Sequence, residues 1–242
     1  MGGIVGLVLL TLLAPPLAEV SYEQPAPPAV IVDGDQGPWV AELNERLAAA
    51  GFNPDDADVY GRETRHAIFA FQKHHGLATT GDFTSDMWPL LDEEIALPYR
   101  HELNRVEVDL AKQVMYIIEN GKVDMVVTIS SASGGTYRHH SGGWAVASTP
   151  EGRYVFDRTV DGWRHAFLGS LYNPFYFKGG YAIHGSSSVP NHPASHGCVR
   201  VTTWDMDVIK HKIELGWPIY LYGKRTEAPP PITIPLPAPV FL

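Results

Sequence analysis

The chain has 242 residues, 45% of them hydrophobic, enough for one large domain or two modest ones and too apolar for a chain disordered throughout. Its formal charge of −9 and pI near 5.6 argue against a phosphate-binding surface, and so against nucleic acid as a partner. Eleven histidines make that charge less negative in mildly acidic surroundings.

Residues 1–20 carry an apolar run from Ile4 to Leu13, followed by Pro15 and Pro16. Such a run suits the core of a signal peptide and falls short of the roughly 20 residues needed to span a bilayer. Export is therefore expected, with any membrane tether confined to this segment. No Lys or Arg precedes the run and Pro16 spoils the cleavage pattern near Ala18, so a retained N-terminal anchor stays open. Residues 21–35, rich in Pro and small side chains, read as an extended linker.

Three short helices are expected within 36–92. The first starts at Pro38, places Val40, Leu43 and Leu47 on one face and stops at Gly51. The second runs from Glu63 to His75 with Ala67, Ile68 and Phe71 inward, and Gly76 closes it. The third covers Thr84 to Leu91, anchored by Trp88 and Leu91. Residues 103–223 change period. Val106, Val108 and Leu110 alternate, as do Val123, Met125, Val127 and Ile129, around the type I′ hairpin signal Asn120–Gly121. Further short strands are expected at "GRYVFDR", "GGYAIHG" and "WPIYLYG", with one helix from Thr203 to Leu215 whose shared face is Trp204, Val208 and Leu215. The fold class is α+β: a small three-helix N-terminal domain followed by a β-rich, sandwich-like domain. Residues 224–242 form a Pro-rich tail, and residues 137–148 fit no element.

The chain has one cysteine, Cys198, in "PASHGCVRV". Exported chains usually carry cysteines in pairs, so a lone one is a candidate reactive thiol. A thiol needs a base or a positive environment to attack a carbonyl. His196 lies two residues away, and His184 ends an expected strand from which it can face Cys198 across a loop. Gly197 lets backbone N–H groups approach a developing oxyanion. His184, His192, His196 and Cys198 are also acceptable zinc ligands by type, but their spacing matches no strong ligand pattern, so no metal or other cofactor is expected.

Two resemblances organise these readings. "VAELNERLAAAGF", "YGRETRHAIFAFQKHHGL" and "TGDFTSDMWPLL" are similar to the three-helix peptidoglycan-binding domain, through Gly51–Phe52, Gly61, Thr64, Ala67, Phe71–Gln72, Gly76–Leu77, Trp88 and Leu91. "YAIHGSSSVPNHPASHGCVRV" resembles the signature of the L,D-transpeptidase catalytic domain, on His184, Gly185, Ser195, His196, Gly197, Cys198, Val199 and Arg200, with "STPEGRYVF" adding Thr149, Pro150, Gly152 and Tyr154. The loop of ten residues between His184 and Ser195 is shorter than in many members.

The second resemblance implies Cys198 as acyl-accepting nucleophile and His184 as general base and acid, oriented by the Gly185 carbonyl. It implies an oxyanion hole of N–H groups around His196, Gly197 and Cys198, with His196 holding the loop. Arg200, Ser195, Tyr176 and Trp204 are the expected substrate-binding residues. The implied activity is formation of 3→3 cross-links in peptidoglycan, with stem peptides and glycan as partners and carbapenems as inhibitors. L,D-carboxypeptidase activity and a non-catalytic wall-binding role are the alternatives. Deleting 36–92 is expected to weaken sacculus binding and to leave turnover of small soluble substrates largely intact. Oligomeric state is not legible.

Overall fold

The computed structural model describes residues 26–139 and 141–223; the expected leader, the first part of the linker and the Pro-rich tail lie outside the described residues. The linker reading fails at its end. Strand β1 (Val30–Ile31) pairs with β2 (Phe83–Thr84), because Ile31 has a buried place opposite Phe83. Helix α1 (Pro38–Ala49) buries Val40, Leu43 and Leu47 and is followed by Gly51 at φ +90, a conformation that favours glycine. Helix α2 (Arg62–His74) buries Ala67, Ile68 and Phe71. Its Gln72 clamps the next loop, donating to the Asp82 carbonyl at 2.7 Å and accepting from the Gly81 N–H at 3.0 Å. The third expected helix is instead a 3₁₀ helix, Ser85–Asp92. Pro89 inside it lacks the N–H that an α-helix needs. Trp88 and Leu91 are nevertheless its buried anchors.

The second unit is a sandwich. One sheet contains β3 (Arg105–Asp109), β4 (Val114–Glu119), β5 (Lys122–Thr128), β8 (Gly152–Val155) and β14 (Pro218–Tyr222), in the order β5-β4-β3-β14-β8. The segment 137–148 falls largely on a separate ribbon, β6 (Thr136–Arg138) and β7 (Trp144–Val146). The other sheet contains β9 (Arg158–Thr159), β10 (Trp163–Ala166), β11 (Gly169–Lys178), β12 (Tyr181–Ser186) and β13 (Val199–Thr202), ordered β10-β11-β12-β13 with β9 on β11. Val106, Val108, Met115, Ile117 and Ile219 meet Phe175, Phe177, Ile183, Val199 and Val201 in one core. Asn120 and Gly121 at φ 52 and 80 make the expected tight turn between β4 and β5.

Two expected faces are different in the structure. A bulge pairs Ile117 with Met125 but Ile118 with Val123, which turns Val123 away from Met125 and onto the helical unit. Helix α3 (Thr203–Lys212) ends before Leu215 and buries Asp205, Met206 and Ile209, leaving Val208 and Leu215 exposed. Asp205 can sit inside because its carboxylate accepts from the Thr202 hydroxyl at 2.5 Å and from Asn53 Nδ2 at 2.8 Å.

The two units share a hydrophobic core. β4 is buried on both faces: Met115 and Ile117 enter the sandwich core, while Val114, Tyr116 and Ile118 join Leu47, Phe52, Ile68 and Phe71. The N–H of Val126 on the edge strand β5 donates to the Gly51 carbonyl at 2.8 Å, so the helical unit also covers that sheet edge. Deleting 36–92 therefore uncovers a core. No described helix is long and apolar enough to cross a membrane.

Candidate active site

Strands β12 and β13 run parallel, with Ile183 opposite Val199 and His184 opposite Arg200. Side chains alternate along each strand, so Ile183, Val199 and Val201 enter the core while His184, Arg200 and Cys198, the residue just before β13, share the other face. His184 and Cys198 are thus diagonal neighbours that line one cavity.

The buried His184 holds its Nδ1 2.9 Å from the Gly185 carbonyl oxygen. A carbonyl only accepts, so Nδ1 carries the hydrogen and Nε2 keeps a free lone pair. Burial lowers the His184 pKa from 6.5 to about 4; the Arg200 charge pushes the same way, against the Gly185 hydrogen bond. Burial raises the half-buried Cys198 thiol above its ordinary range, against a backbone hydrogen bond from Ala182 and the Arg200 charge. Both shifts favour the uncharged pair, thiol and imidazole.

The loop before the thiol is fixed by hydrogen bonds that leave its chemistry exposed. Ser195 Oγ donates to the Cys198 carbonyl at 2.6 Å and accepts from the Gly197 N–H at 3.1 Å. The Gly197 carbonyl accepts from Thr149 Oγ1 at 2.8 Å, and that oxygen accepts from the Ala132 N–H at 3.0 Å. A Cβ on Gly197 would lie 2.7 Å from the Tyr181 ring, and one on Gly185 would lie 2.9 Å from Tyr172 and 3.0 Å from Met206. Neither position tolerates a side chain without a shift. The Gly197 N–H donates to Ser195 Oγ, whereas the N–H groups of His196 and Cys198 meet no acceptor among the described residues.

The cavity has a volume of about 500 Å³. Its lining includes His139, His184, His196 and Arg200 but, among the described residues, no Asp or Glu, in a chain whose net charge is −9. No group of three or more His, Cys, Asp or Glu among the described residues is arranged to hold a metal ion. The walls are Tyr137 and His139 of the β6–β7 ribbon and Trp163 and Leu168 of the β10–β11 ribbon, with Tyr181 beneath. Tyr137 stands edge-on to His196, ring centroids 4.8 Å apart.

Over residues 103–221 the sequence matches the family model of the L,D-transpeptidase catalytic domain, and over 36–91 that of a peptidoglycan binding domain. An L,D-transpeptidase from Xylanimonas cellulosilytica is 35% identical, with a TM-score of 0.74, over 82% of this chain and 100% of that crystallised chain. The chain belongs to the L,D-transpeptidase family. A second family structure, from Stackebrandtia nassauensis, shares the fold at 19% identity and a TM-score of 0.50, over 84% of this chain and 99% of that one. No curated protein matches the sequence.

Of the residues expected at the site, Cys198, His184, His196, Gly197, Ser195 and Arg200 line the cavity, and Gly185 stands behind His184. Tyr176 and Trp204 do not. Tyr176 is buried beneath Arg158, its cross-strand partner on β9, whose guanidinium lies 4.0 Å over the ring. Trp204 faces the helical unit, 5.2 Å from the His66 ring and 5.3 Å from the Arg62 guanidinium. The aromatic walls that replace them, Tyr137 and Trp163, come from short ribbons whose few strand residues gave no periodic signal.

Proposed function

We propose that this member of the family is an exported cell-wall enzyme that cross-links peptidoglycan through a thioester on Cys198. The observation that carries the reading is the neutral His184, its Nδ1 occupied by the Gly185 carbonyl, on the same cavity wall as the chain's one cysteine. As Cys198 Sγ attacks the L,D-amide carbonyl of a donor stem, His184 Nε2 takes the thiol proton. Both shifts disfavour an ion pair formed ahead of attack, so the transfer is coupled to attack. The N–H groups of Cys198 and His196 hold the oxyanion, and Arg200 stabilises the negative charge near sulfur. The His184 imidazolium then gives its proton to the departing amino group of the terminal D-residue, leaving a thioester. A side-chain amine of a second stem attacks it, His184 receives the amine proton, and the thiol is regenerated with a 3→3 amide formed. Arg200 and the acid-free lining favour a donor that carries carboxylates.

Incubating the protein with a soluble tetrapeptide stem, with and without an acceptor stem, tests this. Cross-linked dimer plus released D-amino acid is expected. Tripeptide alone, even with acceptor present, makes the enzyme an L,D-carboxypeptidase; no turnover and no thioester removes catalysis.

A further inference from the structure

Lys73 on α2 is buried in the boundary between the two units, with no carboxylate partner among the described residues. Its Nζ donates to Thr128 Oγ1 at 2.6 Å and reaches the Ile129 carbonyl at 3.4 Å. Burial of an unpaired ammonium is costly, and it lowers the Lys73 pKa to about 7. A methionine would fill such a place at lower cost, so the donor itself needs an explanation.

The explanation lies in what Thr128 and Ile129 lead into. Ser130 exchanges two backbone hydrogen bonds with Arg200, at 3.0 and 3.1 Å, and its Oγ donates to the His192 carbonyl at 2.8 Å. The Ser131 carbonyl accepts from the N–H groups of Ala194 and Ser195, both at 2.9 Å, and the Ser133 N–H donates to the Ser195 carbonyl at 2.9 Å. Residues 128–133 are thus a rail that grips the nucleophile loop on both sides of Cys198. The helical unit also touches the loop directly: Asn191 Nδ2 donates to the Thr79 carbonyl at 3.2 Å, and His66 Nε2 lies 3.4 Å from the Val189 carbonyl.

We infer that Lys73 is a positioning residue for the reaction: from the helical unit it pins the start of the rail that sets Cys198 against His184. The helical unit is then part of the catalytic apparatus as well as a wall-binding module. This rests on the Cys198–His184 site being the active one, so the test needs a readout independent of activity.

Hydrogen exchange at Ala194, Ser195 and Arg200 supplies it, measured beside the rate of Cys198 acylation by a carbapenem and binding to sacculi. In Lys73→Met, exchange at those three amides should rise at least tenfold and acylation should fall about 10- to 100-fold, while sacculus binding stays unchanged; Lys73→Arg should restore most of both. Thr128→Val, which removes the acceptor at nearly constant volume, should reproduce the effect and serves if Lys73→Met fails to fold. Wild-type exchange and acylation in a folded Lys73→Met or Thr128→Val protein would overturn the inference. If the wild type is not acylated at all, the proposed chemistry falls, and exchange still decides the positioning.

Discussion

The floor and the walls of the cavity are built in opposite ways. On the floor, Ser195, Thr149, Ser130 and Ser131 are buried and each is bonded to loop backbone or to the residues that hold it. Beneath that floor the helical unit closes a second core against β4. The walls are ribbons: all four residues of β10, Trp163 among them, are exposed, and Leu168 is 41% exposed. A cavity floor that fixes its side chains by hydrogen bonds on every side thus stands beside walls that face solvent.

The largest expected effect breaks the floor from below. Deleting 36–92 uncovers Val114, Tyr116, Ile118 and Val126, each no more than 1% exposed. Burial of each such side chain contributes about 1.5–3 kcal/mol, against roughly 5–15 kcal/mol for a whole domain. The truncated protein should aggregate or lack a cooperative unfolding transition, and a soluble, fully active truncation would contradict the shared core. Next comes chemistry without collapse. His184→Ala should retain the wild-type fold by circular dichroism and lose about 10²- to 10⁴-fold in acylation rate.

A smaller effect follows from protons at the same boundary. His74 Nδ1 lies 3.0 Å from the Tyr116 hydroxyl, and its pKa is lowered from 6.5 to about 4, chiefly by burial and then by the charges of His75 and Lys112. Between those values the unfolded chain binds a proton that the folded protein does not. The His74 contribution to stability is therefore full above pH 6.5 and is lost as the pH falls toward 4. Urea midpoints should fall less between pH 7 and pH 5 in His74→Gln than in the wild type, and parallel curves would remove His74 as a cause. The smallest effect belongs to the exposed face of the β6–β7 ribbon: Trp144→Ala should change stability by less than about 0.5 kcal/mol and leave acylation by a small carbapenem unchanged.

The same contrast governs what could be read from the sequence. The floor was legible because its chemistry tolerates few substitutes: a lone cysteine, a strand-ending histidine and glycines at positions with no room for a Cβ stand together in one stretch. The α+β architecture and the Asn120–Gly121 turn were legible for similar local reasons. The face of α3 was not, because buried Asp205 is satisfied by Asn53, a partner 152 residues away. Val123 was assigned to the wrong side because a bulge breaks the period-two pattern. The boundary core was hidden because β4 reads as an apolar run, which does not say what covers each face. Nothing in the local sequence marks Lys73 as buried; only the packing of α2 on β5 does.

The central claim, that Cys198 forms an acyl-enzyme with His184 as its base, is tested most directly by intact-protein mass after incubation with a carbapenem. Wild-type protein should gain one covalent adduct, Cys198→Ser none, and His184→Ala should label far more slowly. An unlabelled but folded wild type, or equal labelling of Cys198→Ser, would contradict the account.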